Sequence, residues 1–391
     1  MKVAMVYELF WPSPGGIESW IGNVSKNLSK KGFEVTILTS KIRGPAFQSF
    51  DGITVRHIDN LGLMKKMYIP GSTQLSRQIF WGMVLMKYLT KHSDEFNILH
   101  SHVQASFLGS LLAKGRSKVI FHWHGTYHEW FYKMYSFLVA LGYDIMEHVA
   151  IHLPYDACIT ADEYTKKLAI EHMHANPSKI FPVTNGVNTK LFRPLNVAPE
   201  DVGWEGDGPF IIAARRLVTK NGLQFLIPAM KKLVRILPEA KLMIYGSGPL
   251  ESYLTEMIKK FSLEQNVFFN GSVAHSDLPK YYSAADVVTV PSLIEATSLG
   301  CLEAMACAKP LLTCPVGGVP EIFATGCGVL AEPGNVQDLF NKLKYLLCES
   351  NDKDRVEMGK IGRKNVEKKY TWEKTTENVI KVYKKVLELE S

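Results

Sequence analysis

Residues 287–306 have the sequence VVTVPSLIEATSLGCLEAMA, which predicts a buried strand, a polar loop and a helix in direct succession. The apolar run at 287–290 is typical of a strand that is covered on both faces. Glu295 lies in the loop, and Glu303 follows eight residues later in the helix. Because ligands of open α/β sheets bind at the carboxyl ends of the strands, we expect both carboxylates to face such a crevice.

Two interpretations of this stretch fit the spacing equally well. In the first, the carboxylates accept paired hydrogen bonds from sugar hydroxyls, while the amides of Thr297, Ser298 and Leu299 form a helix N-terminus that binds a diphosphate. In the second, Glu295 is a solvated loop residue and Glu303 is an acid favoured by the helix dipole. The stretch alone leaves both open.

Short apolar runs alternate with helical patterns along almost the entire chain, which is typical of βαβ units around parallel sheets. The runs predict strands at 3–7, 34–39, 54–58, 98–100, 119–122, 157–160, 180–181, 210–214, 241–245, 267–269, 287–290, 311–313 and 328–330. The helices of the first half are predicted at 17–30, 74–91, 107–114, 128–152 and 163–172. The fold class is therefore α/β, with two Rossmann-like doubly wound domains.

The domain boundary is predicted between residues 192 and 209, where three prolines and three glycines interrupt any regular pattern. We expect an N-terminal domain over 1–194 and a C-terminal domain over 195–371. A last helix over 372–391 is expected to pack back on the N-terminal domain.

Composition limits the class of protein. The 391 residues predict two or three domains at roughly 150 residues each, and 46% hydrophobic with 21% charged residues is typical of water-soluble globular chains. The net charge of +7 favours anionic partners, while the lack of a long basic run argues against nucleic acid. Six scattered cysteines predict reduced thiols and a cytoplasmic protein, and neither a secretory leader nor a membrane span is predicted.

Other strand ends in the second half carry cations or glycines. Arg215 and Arg216, with Lys220 close behind, follow one strand, where cations suit the neutralisation of a departing diphosphate. Gly246 follows the predicted strand 241–245. Val273 lies in the loop after the predicted strand 267–269, where its backbone can approach a nucleotide base. Each feature taken alone also fits an ordinary surface turn.

The first half offers a glycine pair and several histidines. Gly15 and Gly16 open the first helix, a position suited to a phosphate contact, and His124 ends a strand, where an imidazole can bond to a sugar hydroxyl or phosphate. A strand-end histidine is also commonly structural. The H-x-H pairs at 100/102, 122/124 and 172/174 have a spacing that can chelate a metal, but no H-E-x-x-H motif accompanies them, so no metal site is predicted.

These motifs in this order resemble the large family of retaining nucleotide-sugar glycosyltransferases with the two-domain GT-B fold, which includes phosphatidylinositol mannosyltransferases and sucrose synthases. The resemblance covers nearly the whole chain and is most specific at the E-x7-E of Glu295 and Glu303 with the following LEAMA and GGVPE. The other matching motifs are GGIE at 15–18, HG at 124–125, NGVN at 185–188, FRP at 192–194, RL at 216–217, GSGP at 246–249 and LPKYYSAAD at 278–286.

The resemblance implies a role for each matching residue. Glu303 would bind the ribose hydroxyls of the donor and Glu295 a hydroxyl of its sugar, while Arg216 would neutralise the diphosphate. Gly16 would lie against the donor phosphate or sugar, and His124 would assist near the transferring centre. The catalytic residues expected on this basis are His124, Arg216, Lys220 and Glu295, and the donor-binding residues are Gly15, Gly16, Gly246, Val273, Thr297, Ser298, Leu299 and Glu303.

The reaction implied is transfer of a hexose-type sugar from a UDP- or GDP-sugar to a hydroxyl of a lipid-linked, glycan or small-molecule acceptor. The two domains would face each other across a cleft, with the acceptor on the N-terminal side and the nucleotide sugar on the C-terminal side. Front-face displacement would retain the configuration of the sugar. A cation pair and helix amides can stabilise the departing diphosphate without a metal, and no cofactor is expected beyond the donor substrate.

Three positions depart from the family pattern. The lysine usually found five residues after the arginine is replaced by Asn221, with Lys220 one position earlier. The usual Gly-Phe-Gly after the first glutamate is Ala296-Thr297-Ser298, and Ala308 stands where the A-x-G-x-P run has glycine. Two alternatives therefore stay open, namely a nucleotide-sugar epimerase on the same fold and a non-catalytic nucleotide-binding partner of another transferase.

Aromatic and basic residues in the first half suggest how the acceptor is reached. MKKMY at 64–68 and the stretch 123–135, with its aromatics Trp130, Phe131, Tyr132 and Tyr135, suit an interfacial surface for a lipid acceptor. Aromatic stripes at helical spacing are also found in protein cores. The expectation is peripheral association with an anionic membrane at its cytoplasmic face.

Overall fold

The computed structural model of the chain describes residues 1–10, 15–40, 47–58, 74–125, 136–204, 208–350 and 352–388. These residues form two compact units. The first unit comprises Met1–Asn185 with Trp372–Ser391, and the second comprises Gly186–Thr371. Each unit is an α/β structure built on its own sheet, as the alternating sequence pattern predicted.

The first unit contains an eight-stranded sheet in the order β3-β4-β2-β1-β5-β6-β7-β8. Its strands are β1 Lys2–Val6, β2 Glu34–Thr39, β3 Phe47–Phe50, β4 Ile53–His57, β5 Ile98–His102, β6 Lys118–Trp123, β7 Ala157–Thr160 and β8 Ile180–Pro182. All neighbours are parallel except β3 and β4. The order reverses at β1, where β2 pairs on one side and β5 on the other, so the unit has the switch point of a doubly wound sheet.

Helices cover this sheet through apolar faces at helical spacing. In α1, Trp20, Ile21, Val24 and Leu28 are buried, which is the i, i+4 and i+8 pattern of a helix that packs by one stripe. The helices of the unit are α1 Gly16–Lys30, α2 Gln74–His92, α3 Val103–Leu112, α4 Phe137–His152, α5 Glu163–Glu171 and α13 Trp372–Glu388. Short 3-10 turns lie at Ser93–Glu95 and Pro177–Lys179.

The second unit has a six-stranded parallel sheet in the order β11-β10-β9-β12-β13-β14. Its strands are β9 Phe210–Ala214, β10 Lys241–Tyr245, β11 Val267–Phe269, β12 Val287–Val290, β13 Leu311–Thr313 and β14 Gly328–Leu330. Its helices are α6 Leu223–Leu233, α7 Glu251–Lys260, α8 Leu278–Ala284, α9 Leu299–Ala306, α10 Val319–Ile322, α11 Val336–Lys344 and α12 Asp352–Lys369, with 3-10 turns at Pro199–Val202 and Thr219–Asn221 and a π-helical turn at Tyr345–Glu349. Two apolar cores, one on each face, bury all of β12 and all of β9 except Ala214, which is partly buried.

Most predicted strands are confirmed to within two residues, and those of the second half match the predicted bounds. The strand β3 was not predicted. It is joined to β4 by Asp51 and Gly52, which both have positive φ, as a two-residue type I′ hairpin turn requires. The Asp-Gly pair was the signal for this hairpin, since the sequence FQSF of β3 is too short and too polar to predict a strand by itself.

The unit boundary lies nearer the N-terminus than residues 192–209. Val187 donates a backbone hydrogen bond to Tyr370 O at 2.9 Å, and Arg363 Nη1 donates to the carbonyl oxygen of Phe192 at 2.7 Å. Phe192 is buried in the second unit's core, so this segment belongs with residues 186–371 by its packing. The helix α13 belongs to the first unit, where Thr375 Oγ1 donates to Thr184 O at 2.9 Å.

Candidate active site

Glu295 lies in the loop between β12 and α9, at the carboxyl end of the second unit's sheet. Its carboxylate forms an ion pair with Arg215, and Oε1 also accepts a hydrogen bond from Ser292 Oγ at 2.9 Å. The side chain is only 13% exposed. Burial raises the pKa of Glu295, but the charges of Arg215 and Lys220 together with the hydrogen bonds outweigh it and leave the pKa below its usual value. Glu295 is therefore a buried carboxylate held in its ionised form, not a solvated loop residue.

Arg215 connects the ends of β9 and β12. Besides the ion pair, its Nη2 donates to Ser292 Oγ at 2.7 Å and to Asn221 Oδ1 at 3.0 Å. The side chain is 11% exposed, and desolvation acts to lower the pKa of Arg215, but Glu295 reverses this and raises it. The guanidinium therefore stays charged inside the unit.

Two glycines let neighbouring loops approach these groups. A Cβ on Gly317 would lie 1.7 Å from Glu295 O, and one on Gly246 would lie 2.0 Å from Arg215 O. Both glycines also have positive φ. Gly246, predicted as a donor-binding residue, is thus required by the close approach of the β10 end to the β9 end; its role toward a donor stays a prediction.

The two other predicted cations differ in their surroundings. Arg216 has an exposed side chain, whereas Lys220 is partly buried and its charge helps to lower the pKa of Glu295. The Lys220 carbonyl accepts a hydrogen bond from Leu293 N at 2.8 Å, which ties the loop after β9 to the loop after β12. The structure therefore brings Lys220 and Glu295 together and leaves Arg216 at the surface.

Glu303 projects from α9 and is 7% exposed. Its Oε1 lies 2.6 Å from Nε2 of His275, in the loop after β11. This hydrogen bond raises the pKa of His275 above its ordinary value against the opposing effect of desolvation, and the charge of Glu303 adds to it. The loop also contains Val273, which is partly buried against the core. The structure thus places Glu303 beside the predicted base-binding loop.

Thr297, Ser298 and Leu299 form the start of α9, with Ser298 as the N-cap residue and Leu299 as the first helical residue. Thr297 and Ser298 are buried, and Leu299 is partly buried. The first amides of a helix have no partner within the helix, and the helix dipole gives them partial positive charge. Their position next to Glu295 fits the predicted anion site.

The predicted residues of the first unit lie at two strand ends of its sheet. Gly15 is the N-cap of α1, which follows β1, and Gly16 is its first residue; both are exposed. His124 follows β6 directly and is partly buried, with its Nε2 2.7 Å from Nδ1 of His102. Desolvation lowers the pKa of His124 to about 3, so the ring is neutral near pH 7.

His124 belongs to a stack of four imidazoles, here called the histidine stack, formed by His100, His102, His122 and His124. The alternation of β5 and β6 places them on one face of the sheet, and His102 pairs with His122 in the strand register. His100 Nε2 lies 3.0 Å from His122 Nδ1, and His100 Nδ1 lies 2.7 Å from the Tyr383 hydroxyl. The rings of His122 and His124 are 3.9 Å apart and nearly parallel.

The histidine stack also bears on metal binding. Ligand nitrogens of His100, His102 and His122 lie within 4.8 Å of one another, and the Nε2 atoms of His102 and His122 have no hydrogen-bond partner among the residues that the structure describes. However, both nitrogens of His100 are engaged, and its ring stacks nearly parallel to that of His102 instead of converging with it on a common point. The prediction of no metal site therefore stays a prediction.

Ser292 and His275 are contacts of the two glutamates that the sequence interpretation did not name, and Arg215 is one that it named only among the cations after β9. A signal for Arg215 was present. Its amide donates to Tyr245 O at 2.8 Å, so the extended backbone of β9 continues through it. Consecutive side chains of an extended chain point to opposite sides, so only one of two adjacent arginines can face Glu295.

The stretches proposed for the acceptor lie mainly outside the described residues. This holds for 64–68 and for the aromatic residues Trp130, Phe131, Tyr132 and Tyr135. Within the described part of the chain, none of the helices combines the length and the apolar character needed to cross a bilayer.

Comparison with known proteins agrees with this architecture. A family model for group 1 glycosyl transferases matches residues 197–365, and a model for Glycosyltransferase Family 4 matches residues 14–191. A phosphatidylinositol N-acetylglucosaminyltransferase subunit of Arabidopsis thaliana is 26% identical over 99% of this chain and 82% of its own length. A GDP-mannose-dependent monoacylated alpha-(1-6)-phosphatidylinositol monomannoside mannosyltransferase of Corynebacterium glutamicum is 34% identical over 48% of this chain and 52% of its own.

Solved structures show the same fold at low sequence identity. Sucrose-phosphate synthase from Thermosynechococcus elongatus superposes with a TM-score of 0.85 at 20% identity and covers 99% of both chains. Anabaena HepE in complex with UDP-glucose superposes with a TM-score of 0.74 at 17% identity, over 100% of this chain and 99% of its own. Since two glycosyltransferase family models match its two halves and its fold is that of these enzymes, the chain belongs to the GT-B glycosyltransferases.

Proposed function

We propose that the protein is a retaining glycosyltransferase that moves a hexose-type sugar from a UDP- or GDP-sugar to a hydroxyl of a lipid-linked acceptor. The observation that carries this is a pair of largely buried glutamates at the carboxyl end of one sheet, with Glu295 beside the largely buried Arg215 and Glu303 beside the loop after β11. A carboxylate at each place suits the hydroxyls of a sugar and of a ribose.

In this proposal the bond between the sugar's anomeric carbon and the diphosphate breaks, and the acceptor oxygen bonds to that carbon on the same face. The acceptor's proton passes to the departing phosphate oxygen. Lys220 and the first amides of α9 offset the negative charge that develops on the diphosphate, so the reaction runs without a metal. Arg216, exposed at the same sheet edge, reaches the diphosphate from the solvent side.

Two kinds of relative support the substrate classes. The two curated relatives described above carry names that refer to phosphatidylinositol or its mannosides, and a structure with this fold was solved with UDP-glucose. The proposed acceptor is therefore an inositol-containing lipid at the surface of a membrane, to which the protein binds peripherally on the cytoplasmic side.

The test is an assay of the purified protein with UDP- and GDP-sugars and vesicles that contain phosphatidylinositol. Release of free nucleotide that depends on the vesicles, with the sugar recovered in the lipid at unchanged anomeric configuration and an unchanged rate in EDTA, is the expected result. An isomerised nucleotide sugar would instead identify an epimerase, and tight nucleotide binding without turnover would identify a non-catalytic partner.

A substitution tests the donor site directly. Glu303→Ala should weaken binding of UDP or GDP by about ten- to a hundredfold, since a hydrogen bond to a charged group contributes about 1.5–3 kcal/mol. Titration calorimetry measures this, and Glu264→Ala, at an exposed position of the same unit, is the matched control. Equal affinities in the two variants would contradict the role of Glu303.

A further inference from the structure

The cation paired with Glu295 is Arg215, not the lysine that the family pattern has at position 221. Residue 221, where the family pattern has lysine, is a buried asparagine whose Oδ1 lies 3.0 Å from Arg215 Nη2. Asn221 Nδ2 in turn donates to Arg216 O at 2.7 Å, which fixes the side chain between the two arginines. Asn221 thus acts as a support for Arg215.

We propose that Arg215 and Asn221 work as one unit, in which Arg215 supplies the buried cation of the donor site and positions Glu295 for the sugar. This inference rests on the proposed function. It adds Arg215 to the electrostatic task that the family resemblance gave to Arg216 and to a lysine.

The guanidinium lies at the helix N-terminus that is the predicted diphosphate site. A Cβ on Gly300, in the first turn of α9, would lie 3.3 Å from Arg215 Nη1. The arginine charge and the first amides of α9 therefore act on the same region. A charge in a site with little water has a stronger effect on a ligand than one at the surface, where the Arg216 side chain lies.

Arg215 also determines which oxygen of Glu295 is available. Among the described residues, the hydrogen bonds to the Glu295 carboxylate from Arg215 and Ser292 both fall on Oε1. Oε2 can then accept from a hydroxyl of the sugar while the carboxylate is held in one orientation. A guanidinium suits this task because its donors are fixed in a rigid plane, whereas the three donors of a lysine ammonium rotate freely on a flexible stem.

The experiment compares Arg215→Met, Asn221→Lys and the double variant, with Arg235→Met as a matched control at an exposed site of the same unit. The readouts are kcat and KM for the donor, calorimetric affinity for UDP and GDP, and thermal unfolding. Arg215→Met should lower kcat/KM for the donor about a hundredfold, the order of loss found when one preorganised donor to a developing charge is removed. Arg235→Met should leave all three readouts unchanged.

The double variant separates the electrostatic role from a structural one. A lysine at 221 would place an ammonium where Asn221 now touches the guanidinium, so the double variant should regain at least tenfold of the lost kcat/KM. Asn221→Lys alone should lower kcat/KM, because it puts a second cation against Arg215 and removes its hydrogen-bond partner. If Arg215→Met does not fold, Arg215→Lys replaces it, and a raised KM with an unchanged melting temperature is then expected.

Two results would overturn the inference while the proposed function stands. One is a folded Arg215→Met variant with unchanged donor kinetics, and the other is a double variant that regains thermal stability without regaining kcat/KM. The latter would make Arg215 a structural clamp between the two loops. If the unsubstituted protein neither binds a nucleotide nor transfers a sugar, the proposed function itself fails and the inference falls with it.

Discussion

Each unit contains a cluster of largely buried polar side chains, and the two clusters differ in their charge state. In the first unit, the histidine stack carries no charge near pH 7, because desolvation lowers the pKa of His100 and His124 to about 3 and those of His102 and His122 well below 6.5. In the second unit, Arg215 and Glu295 both stay charged and neutralise each other.

The position of each cluster in its sheet explains the difference. The histidines lie mostly within β5 and β6, under Trp20 of α1, whose ring is 4.5 Å from that of His122. His102 is the last residue of β5, and His124 lies just beyond the end of β6. Arg215 and Glu295 lie in loops beyond the strands, where a ligand can reach them. The interior of this fold therefore contains polar groups in neutral form, whereas its strand ends maintain charge.

The largest effect is expected from acid on the histidine stack. Below pH 6.5 these histidines bind protons in the unfolded chain but stay neutral in the folded stack. The free energy of unfolding is therefore highest above pH 6.5 and falls as the pH drops toward 3. Each histidine contributes up to about 1.4 kcal/mol per pH unit to this fall. Hydrogen exchange with mass spectrometry should show the first unit opening in this range before the second.

The same experiment has a matched pair of variants. His122→Phe removes one ring of the stack. The free energy of unfolding of this variant should fall less steeply with decreasing pH, because about one proton fewer is taken up on unfolding. His172→Phe removes an exposed ring and should keep the steep fall. If the first unit unfolds no earlier than the second, or if His122→Phe leaves the slope unchanged, the stack is not the acid-sensitive element.

The second effect tests the charged cluster. Glu295→Ala leaves the Arg215 guanidinium buried without its counter-ion, which should lower the unfolding free energy of the second unit by about 3–5 kcal/mol. Urea unfolding followed by hydrogen exchange measures this, with the exposed Glu264→Ala as control. A loss below about 1 kcal/mol would mean that the pair is hydrated and that the second unit does not hold a desolvated charge pair.

The smallest effect concerns the link between the histidine stack and the end of the chain. Tyr383→Phe removes the hydroxyl that lies 2.7 Å from His100 Nδ1 and leaves that nitrogen unpaired, which should cost about 1–3 kcal/mol. Tyr253→Phe, at an exposed position, is the control. Thermal unfolding of both variants gives the difference, and equal melting temperatures would show that water replaces the hydroxyl.

The fold was largely predictable because its buried parallel strands are short apolar runs separated by turn residues. The strands β9 to β14 were predicted with the bounds observed, since each lies between clear breaks in the pattern. The segment 186–192 was harder to assign. Its membership depends on contacts with Tyr370 and Arg363, far away in sequence, which a local pattern cannot reveal.

The candidate site was predictable in its glutamates and less so in their partners. The spacing of Glu295 and Glu303 along one strand, loop and helix singled them out and left their role open, and the family resemblance supplied that role as an expectation. The pairing of Glu295 with Arg215 depends on the extended backbone after β9 and on the support of Asn221. The family resemblance points to Arg216 and not to this pairing, because the two arginines are adjacent and differ only in the side of the backbone to which they point.

The first unit is assembled from two separate segments of the chain, since α13 follows the entire second unit. During synthesis all residues of the second unit are therefore translated while the first unit still lacks α13, including Tyr383. Until α13 has left the ribosome, the first unit exposes the face that this helix covers, so nascent chains should depend on chaperones at that stage.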